Sequence, residues 1–139
     1  MPYSKNRGYM LKTHNKFGAR KVTDPITGEV FDSEKEYQQW RILKILERAG
    51  KISNLQRQVK FELIPSQREE STEVYRSGPQ KGLPKPAAVI EKPCTYIADF
   101  VYYENGKMIV EDTKGVKTEA YKIKKKLLLY VHGIRIKEI

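Results

Sequence analysis

Thr95-Tyr96-Ile97-Ala98-Asp99-Phe100-Val101-Tyr102-Tyr103-Glu104, Asn105-Gly106, Lys107-Met108-Ile109-Val110-Glu111-Asp112-Thr113-Lys114 reads as two strands and the turn between them. Aromatic and β-branched residues crowd both sides of Asn-Gly, the pair that best tolerates the positive φ angles of a type I′ hairpin turn. Such a turn fixes register. Glu104 stands opposite Lys107, and counting five places along each strand sets Asp99 opposite Asp112. Their side chains then point to one face, with Cβ atoms about 4.5–5.5 Å apart. Val101, Met108 and Val110 share that face, so it should be partly buried. Two carboxylates there repel each other and need a compensating cation. Mg²⁺ suits the position, because it takes oxygen ligands and often uses only one or two carboxylates. Lys114 falls on the same face, opposite Ile97, where it could orient a water or stabilise a phosphoryl transition state. The plainer alternative is that Asp112 pairs only with Lys114. Glu111 adjoins Asp112 but alternation sends it to the other face.

Upstream, residues 20–31 predict a hairpin around the turn formers Asp24-Pro25-Ile26-Thr27-Gly28. A helix is expected over residues 33–49, capped by Asp32 or Ser33 and stopped by Gly50. Tyr37, Trp40, Leu43 and Leu46 form its apolar stripe. At about 100° per residue, Glu36 falls on that stripe and Glu34 on the opposite, solvent side. Glu36 is thus either a capping-box partner of Ser33 or a third acid turned toward the aspartates. A strand over 59–64 should end at Pro65. Residues 66–86 read as a long polar loop punctuated by Gly78, Pro79, Gly82, Pro84 and Pro86, followed by a short strand over 87–91. Downstream, residues 118–130 predict a second helix ending at His132-Gly133, and 134–138 a last strand. The fold class is α/β: a central mixed β-sheet flanked by helices. Residues 19–139 make one domain, and residues 1–18 a flexible basic arm.

The 139-residue chain carries 27 Lys and Arg against 17 Asp and Glu, a formal charge of +10. Such an excess suits a polyanion, because each neutralised phosphate releases condensed counterions. The basic residues cluster. Lys16, Arg20 and Lys21 sit at the acid-free amino-terminal end, and Lys117, Lys122, Lys124, Lys125 and Lys126 on and before the second helix. These eight are the candidate DNA-binding residues. A lone Cys94 excludes an internal disulfide and fits a reducing compartment. With no signal-peptide pattern and no membrane span, the expectation is a cytoplasmic protein without a membrane partner.

Ser33-Glu34-Lys35-Glu36, Tyr96-Ile97-Ala98-Asp99-Phe100 and Val110-Glu111-Asp112-Thr113-Lys114-Gly115, in that order, resemble the PD-(D/E)XK nuclease superfamily. Its pattern is a helix glutamate, a strand aspartate, Asp/Glu-x-Lys on the next antiparallel strand, then a basic helix. The likeness is greatest to small phage-encoded members related to Holliday-junction resolvases, and it covers residues 15–139. Where the family often has a proline before the first aspartate, this chain has Ala98.

The resemblance implies a restriction-endonuclease-like fold and an Mg²⁺- or Mn²⁺-dependent endodeoxyribonuclease. Glu36, Asp99 and Asp112 would be catalytic metal ligands, and Lys114 would activate or position the attacking water. It also implies a substrate among branched or recombination DNA intermediates of a phage, in the cytoplasm of a bacterial host. A resolvase needs two active sites, which points to a homodimer. The alternatives are a non-catalytic DNA-binding protein that retains the fold, or a phage structural protein whose charge serves solubility.

Overall fold

The structure is a computed structural model in which residues 18–139 are described. The basic arm expected over residues 1–18, with Lys16, therefore lies outside the described residues except for Gly18.

The chain enters through a short antiparallel hairpin, β1 (Val22–Thr23) and β2 (Val30–Phe31). Asp24 closes it, its Oδ1 accepting from the amides of Ile26 and Thr27 at 2.7 and 3.0 Å. Helix α1 (Glu34–Arg48) follows, capped by Ser33, whose Oγ accepts from Glu36 N at 3.1 Å. Gly50 takes φ +71°, which lets the chain double back. Then come β3 (Ser53–Ile64), β4 (Gln67–Arg68), β5 (Val89–Glu91), β6 (Cys94–Glu104) and β7 (Lys107–Asp112). Helix α2 (Glu119–His132), capped by Thr118 and ended by left-handed Gly133, leads to β8 (Ile136–Glu138).

A central sheet runs in the order β3-β6-β7-β8. β3, β6 and β7 are antiparallel, while β8 pairs parallel to β7 after the α2 crossover. The sheet is therefore mixed, with a helix packed on each side. Leu43 of α1 packs with Ile52, Phe100 and Tyr102, and Trp40 stacks on Phe100 at 5.9 Å between ring centroids. On the other side Tyr121 and Leu128 of α2 meet Tyr96, Ala98, Val101 and Val110. Among the described residues no helix is long and apolar enough to cross a membrane.

Two expectations need correction. The strand expected over 59–64 starts at Ser53. Its first half, Asn54-Leu55-Gln56-Arg57-Gln58, is too polar to register as a strand, and pairing with β6 supplies what local propensity lacks. The loop expected over 66–86 is instead a long hairpin whose lower rungs are β4 and β5.

Side chains do not alternate evenly along the two longest strands. In a regular strand, residues two apart share a face. Here Arg57 lies over the Phe31 ring, 3.7 Å from its centroid on the α1 side, whereas Val59 packs in the α2-side cluster. Opposite them, Phe100 faces α1 and Ala98 faces α2. Both strands turn over at the same rung, where Gln58 has φ +52°. Asp99 stands on that rung.

Candidate active site

The ladder from Glu104–Lys107 to Phe100–Glu111 keeps the register that the Asn105-Gly106 turn dictates. The next step brings Asp99 beside Asp112. Both Oγ1 and N of Thr113 donate to Asp99 Oδ2, at 2.8 and 2.9 Å. Asp112 is fully buried. Its Oδ2 accepts from the Tyr96 hydroxyl, and its Oδ1 accepts no hydrogen bond, with the Lys114 ammonium 3.3 Å away. Burial, reinforced by the neighbouring Asp99 carboxylate, pushes the Asp112 carboxyl up to about 7.

Glu36 is the third acid, 3 % exposed. The α1 stripe turns it inward, while Glu34 stays exposed and bonds Gln38. The Ser33 cap holds the first turn, but the Glu36 carboxylate does not return to Ser33. Its Oε2 accepts from Asp32 N at 3.2 Å, and its Oε1 from Gln58 at 3.2 Å and Arg57 at 3.5 Å. Its carboxyl is raised, first by burial and then by Asp99. Asp99, on the rung where the strands turn over, therefore acts on both of the other acids. The rung brings Glu36, from the α1 side, and Asp112, from the α2 side, to either side of Asp99.

Lys114 leaves the end of β7 and lies over the Tyr121 ring, 5.0 Å from its centroid. With Glu36, Asp99, Thr113 and Tyr121 it lines an open cleft of about 410 Å³. Asp112 lies behind the cleft wall. A buried carboxylate oxygen without a hydrogen bond, next to a second carboxylate, is a donor set that fits a hard divalent cation. Among the described residues no three acids, histidines or cysteines are gathered closely enough to hold an ion as they stand. Glu36 is engaged by Arg57 and Gln58, and one Asp112 oxygen by Tyr96.

The candidate DNA-binding residues divide. Lys16 lies outside the described residues. Arg20 is exposed, and Lys21 reaches Asp32 at 3.9 Å. Lys117 and Lys125 both pair with Glu138 of β8, and Lys122 pairs with Glu119 one turn earlier. Lys124 and Lys126 make no ion pair with the described residues, and Lys124 lines the groove beside Lys114. The lysine cluster of α2 is therefore not one uniform cationic face: part of it fastens the helix to β8.

Sequence reasoning did not find Tyr96, Thr113, Arg57 or Gln58 as partners of the acids. Even alternation sends Tyr96 to the face opposite Asp112, so this bond could not be read from the sequence. Nor does the sequence show that Glu111 is wholly buried on the α1 side, bonded by Tyr102 at 2.6 Å and by Gln39.

The chain belongs to the family described as Protein of unknown function (DUF1064), whose model matches residues 14–135. No curated protein and no solved structure matches it.

Proposed function

We propose that the protein is a metal-dependent DNA endonuclease with a restriction-endonuclease-like core. The observation that carries this reading is the meeting of Asp99 and Asp112 on adjacent strands beside inward-turned Glu36. One buried Asp112 oxygen lacks a hydrogen bond, and Lys114 stands at the cleft edge. Asp99 and Asp112, with Glu36 as the third ligand, would hold Mg²⁺ or Mn²⁺. Such an ion lowers the pKa of a bound water and neutralises charge on a phosphodiester.

The chain's own residues have distinct parts. Thr113 fixes the Asp99 carboxylate through two hydrogen bonds, and Tyr96 fixes that of Asp112. Lys114, held between Asp112 and the Tyr121 ring, presents an ammonium to a phosphate in the cleft. There it stabilises developing negative charge. Arg57 and Gln58 restrain Glu36. Arg20, Lys21, Lys124 and Lys126 bind backbone phosphates, which position DNA without reading its bases.

Incubation of supercoiled plasmid with the protein and Mg²⁺ or Mn²⁺ tests the reading. Nicked or linear product that disappears with EDTA, and in Asp112→Asn, supports it. An intact plasmid under every metal overturns it. The full engagement of Glu36 by Arg57 and Gln58 favours a second reading, a DNA-binding protein that keeps the fold without the chemistry. That reading expects salt-dependent binding and no cleavage.

A further inference from the structure

Between β3 and β6 the chain leaves the body of the protein as a hairpin arm. Its ladder continues well beyond β4 and β5. Glu69 N donates to Ala88 O at 3.0 Å, Lys85 N to Glu73 O at 2.9 Å and Tyr75 N to Leu83 O at 3.0 Å. Gly82 N returns to Tyr75 O at 2.9 Å, and the end is closed by the bond from Lys81 N to Gly78 O at 3.1 Å. Gly78 and Gly82 have φ +83° and +86°, so the tip turn depends on residues without a Cβ.

No residue from 67 to 91 is buried. A two-stranded ribbon without a core is marginal in water, so the arm contributes nothing to the core that would explain its length.

Its charge is segregated. From residue 74 to residue 90 there are three basic residues, Arg76, Lys81 and Lys85, and no acid, whereas Glu69, Glu70 and Glu73 lie nearer the base. Lys85 is paired with Glu73 at 3.7 Å. Arg76 and Lys81, at the tip, make no ion pair with the described residues.

The register locates the arm relative to the cleft. β6 runs from the arm at Cys94 past Asp99 to the Asn105-Gly106 turn, and β7 returns to Asp112 and leaves as the loop carrying Lys114. Arm and cleft loop thus share one end of the sheet. At about 3.3 Å per residue, Asp99 is roughly 17 Å from the arm's base, and the eight steps from Gln67 to Tyr75 add up to about 26 Å, so the tip reaches at most about 43 Å from Asp99. A reach of that order is enough to cover one turn of B-DNA, ~34 Å. A two-stranded ribbon also fits the major groove, about 12 Å wide.

We propose that the arm is a second DNA contact, laying Arg76 and Lys81 on backbone phosphates about one helical turn from the cleft. The choice of DNA as partner rests on the nuclease reading. The consequence is a substrate requirement: duplex must extend past the cleft on the arm's side.

Binding measured by fluorescence anisotropy at several salt concentrations, with EDTA present to prevent cleavage, tests this. The probes are duplexes of about 10 and about 30 base pairs; the shorter is about one turn long, so when centred on the cleft it ends about half a turn short of the arm's contact. The variant is Arg76→Ala with Lys81→Ala. On the long duplex its salt slope is expected to fall by about two units, roughly 0.9 per lost phosphate contact. On the short duplex parent and variant should bind alike, which also shows that the variant is folded. An unchanged slope on the long duplex overturns the arm's role while leaving the nuclease reading standing. A parent that binds neither duplex overturns the DNA reading and the arm's partner with it.

Discussion

Gln58 and Asp99 face each other across the β3–β6 ladder, between the pairs Arg57–Phe100 and Val59–Ala98, on the rung where both strands turn over. Gln58 accepts a left-handed backbone there and bonds Glu36; Asp99 takes the two hydrogen bonds of Thr113. The rung thus sets Asp99 between an acid on each side of the sheet, Glu36 and Asp112.

The first expected outcome follows from that backbone. Gln58→Gly and Gln58→Ala both lose the bond to Glu36 but differ at φ +52°. A left-handed residue bearing a Cβ costs about 1–2 kcal/mol, so the glycine variant should be the more stable by about 1 kcal/mol. This reverses the order expected inside a regular strand. Urea unfolding of the two variants measures it, and alanine equal to or above glycine refutes it.

Asp112 makes metal-free stability depend on pH. Its carboxyl rises from 3.8 to about 7 on folding, chiefly through burial and then through Asp99. The folded state therefore holds the proton more tightly than the unfolded chain. The associated stability is fully present below about pH 4, falls as pH rises through 7, and then levels off. Melting temperatures in EDTA should thus be higher at pH 5 than at pH 8, and Asp112→Asn should shrink the difference. A parental profile retained by the variant would assign the effect elsewhere.

Cleavage and binding should separate in Asp112→Asn. The substitution removes a charge behind the cleft wall and leaves the exposed cations untouched. Its salt slope for DNA should match the parent's while the Mg²⁺-dependent rate falls by orders of magnitude. Parental cleavage by this variant would mean that the active site lies elsewhere.

The α2 lysines should fall into two groups. Lys124→Ala with Lys126→Ala should lower the salt slope by about two units. Lys117→Ala with Lys125→Ala should instead release Glu138, with a stability loss of no more than about 1 kcal/mol per half-exposed pair. Chemical denaturation and salt-dependent binding on both double variants make the comparison. Equal slopes would refute the division.

The hairpin was readable because one turn type carries the whole register: from Asn105-Gly106 follow the ladder and the meeting of Asp99 with Asp112. The first helix was readable because its apolar stripe and Ser33 cap are local signals. The start of β3 was not, because Asn54 to Gln58 owe their strand to a partner far along the chain, as in the pairs Gln56–Val101 and Arg57–Phe100. The turnover at Asp99 was not either, since alternation is the assumption by which strands are read. It moved Ile97 to an exposed position and Tyr96 and Ala98 into the core. Pairing of Lys117 and Lys125 with Glu138 needs the parallel return of β8, which no short-range pattern announces.

That return has a temporal side. Glu36, Asp99 and Asp112 all emerge from the ribosome before residues 136–138, yet the Asp112 carbonyl receives the amide of Ile139 at 3.0 Å, and the Asp112 strand gains its outer neighbour only when β8 docks. The antiparallel meander can form early from contacts close in sequence, whereas the parallel strand must wait for a helix to cross over. Asp112 is therefore clamped by a strand made after all three acids, and a nascent chain carries them for a time without the strand that fixes Asp112 from its outer side.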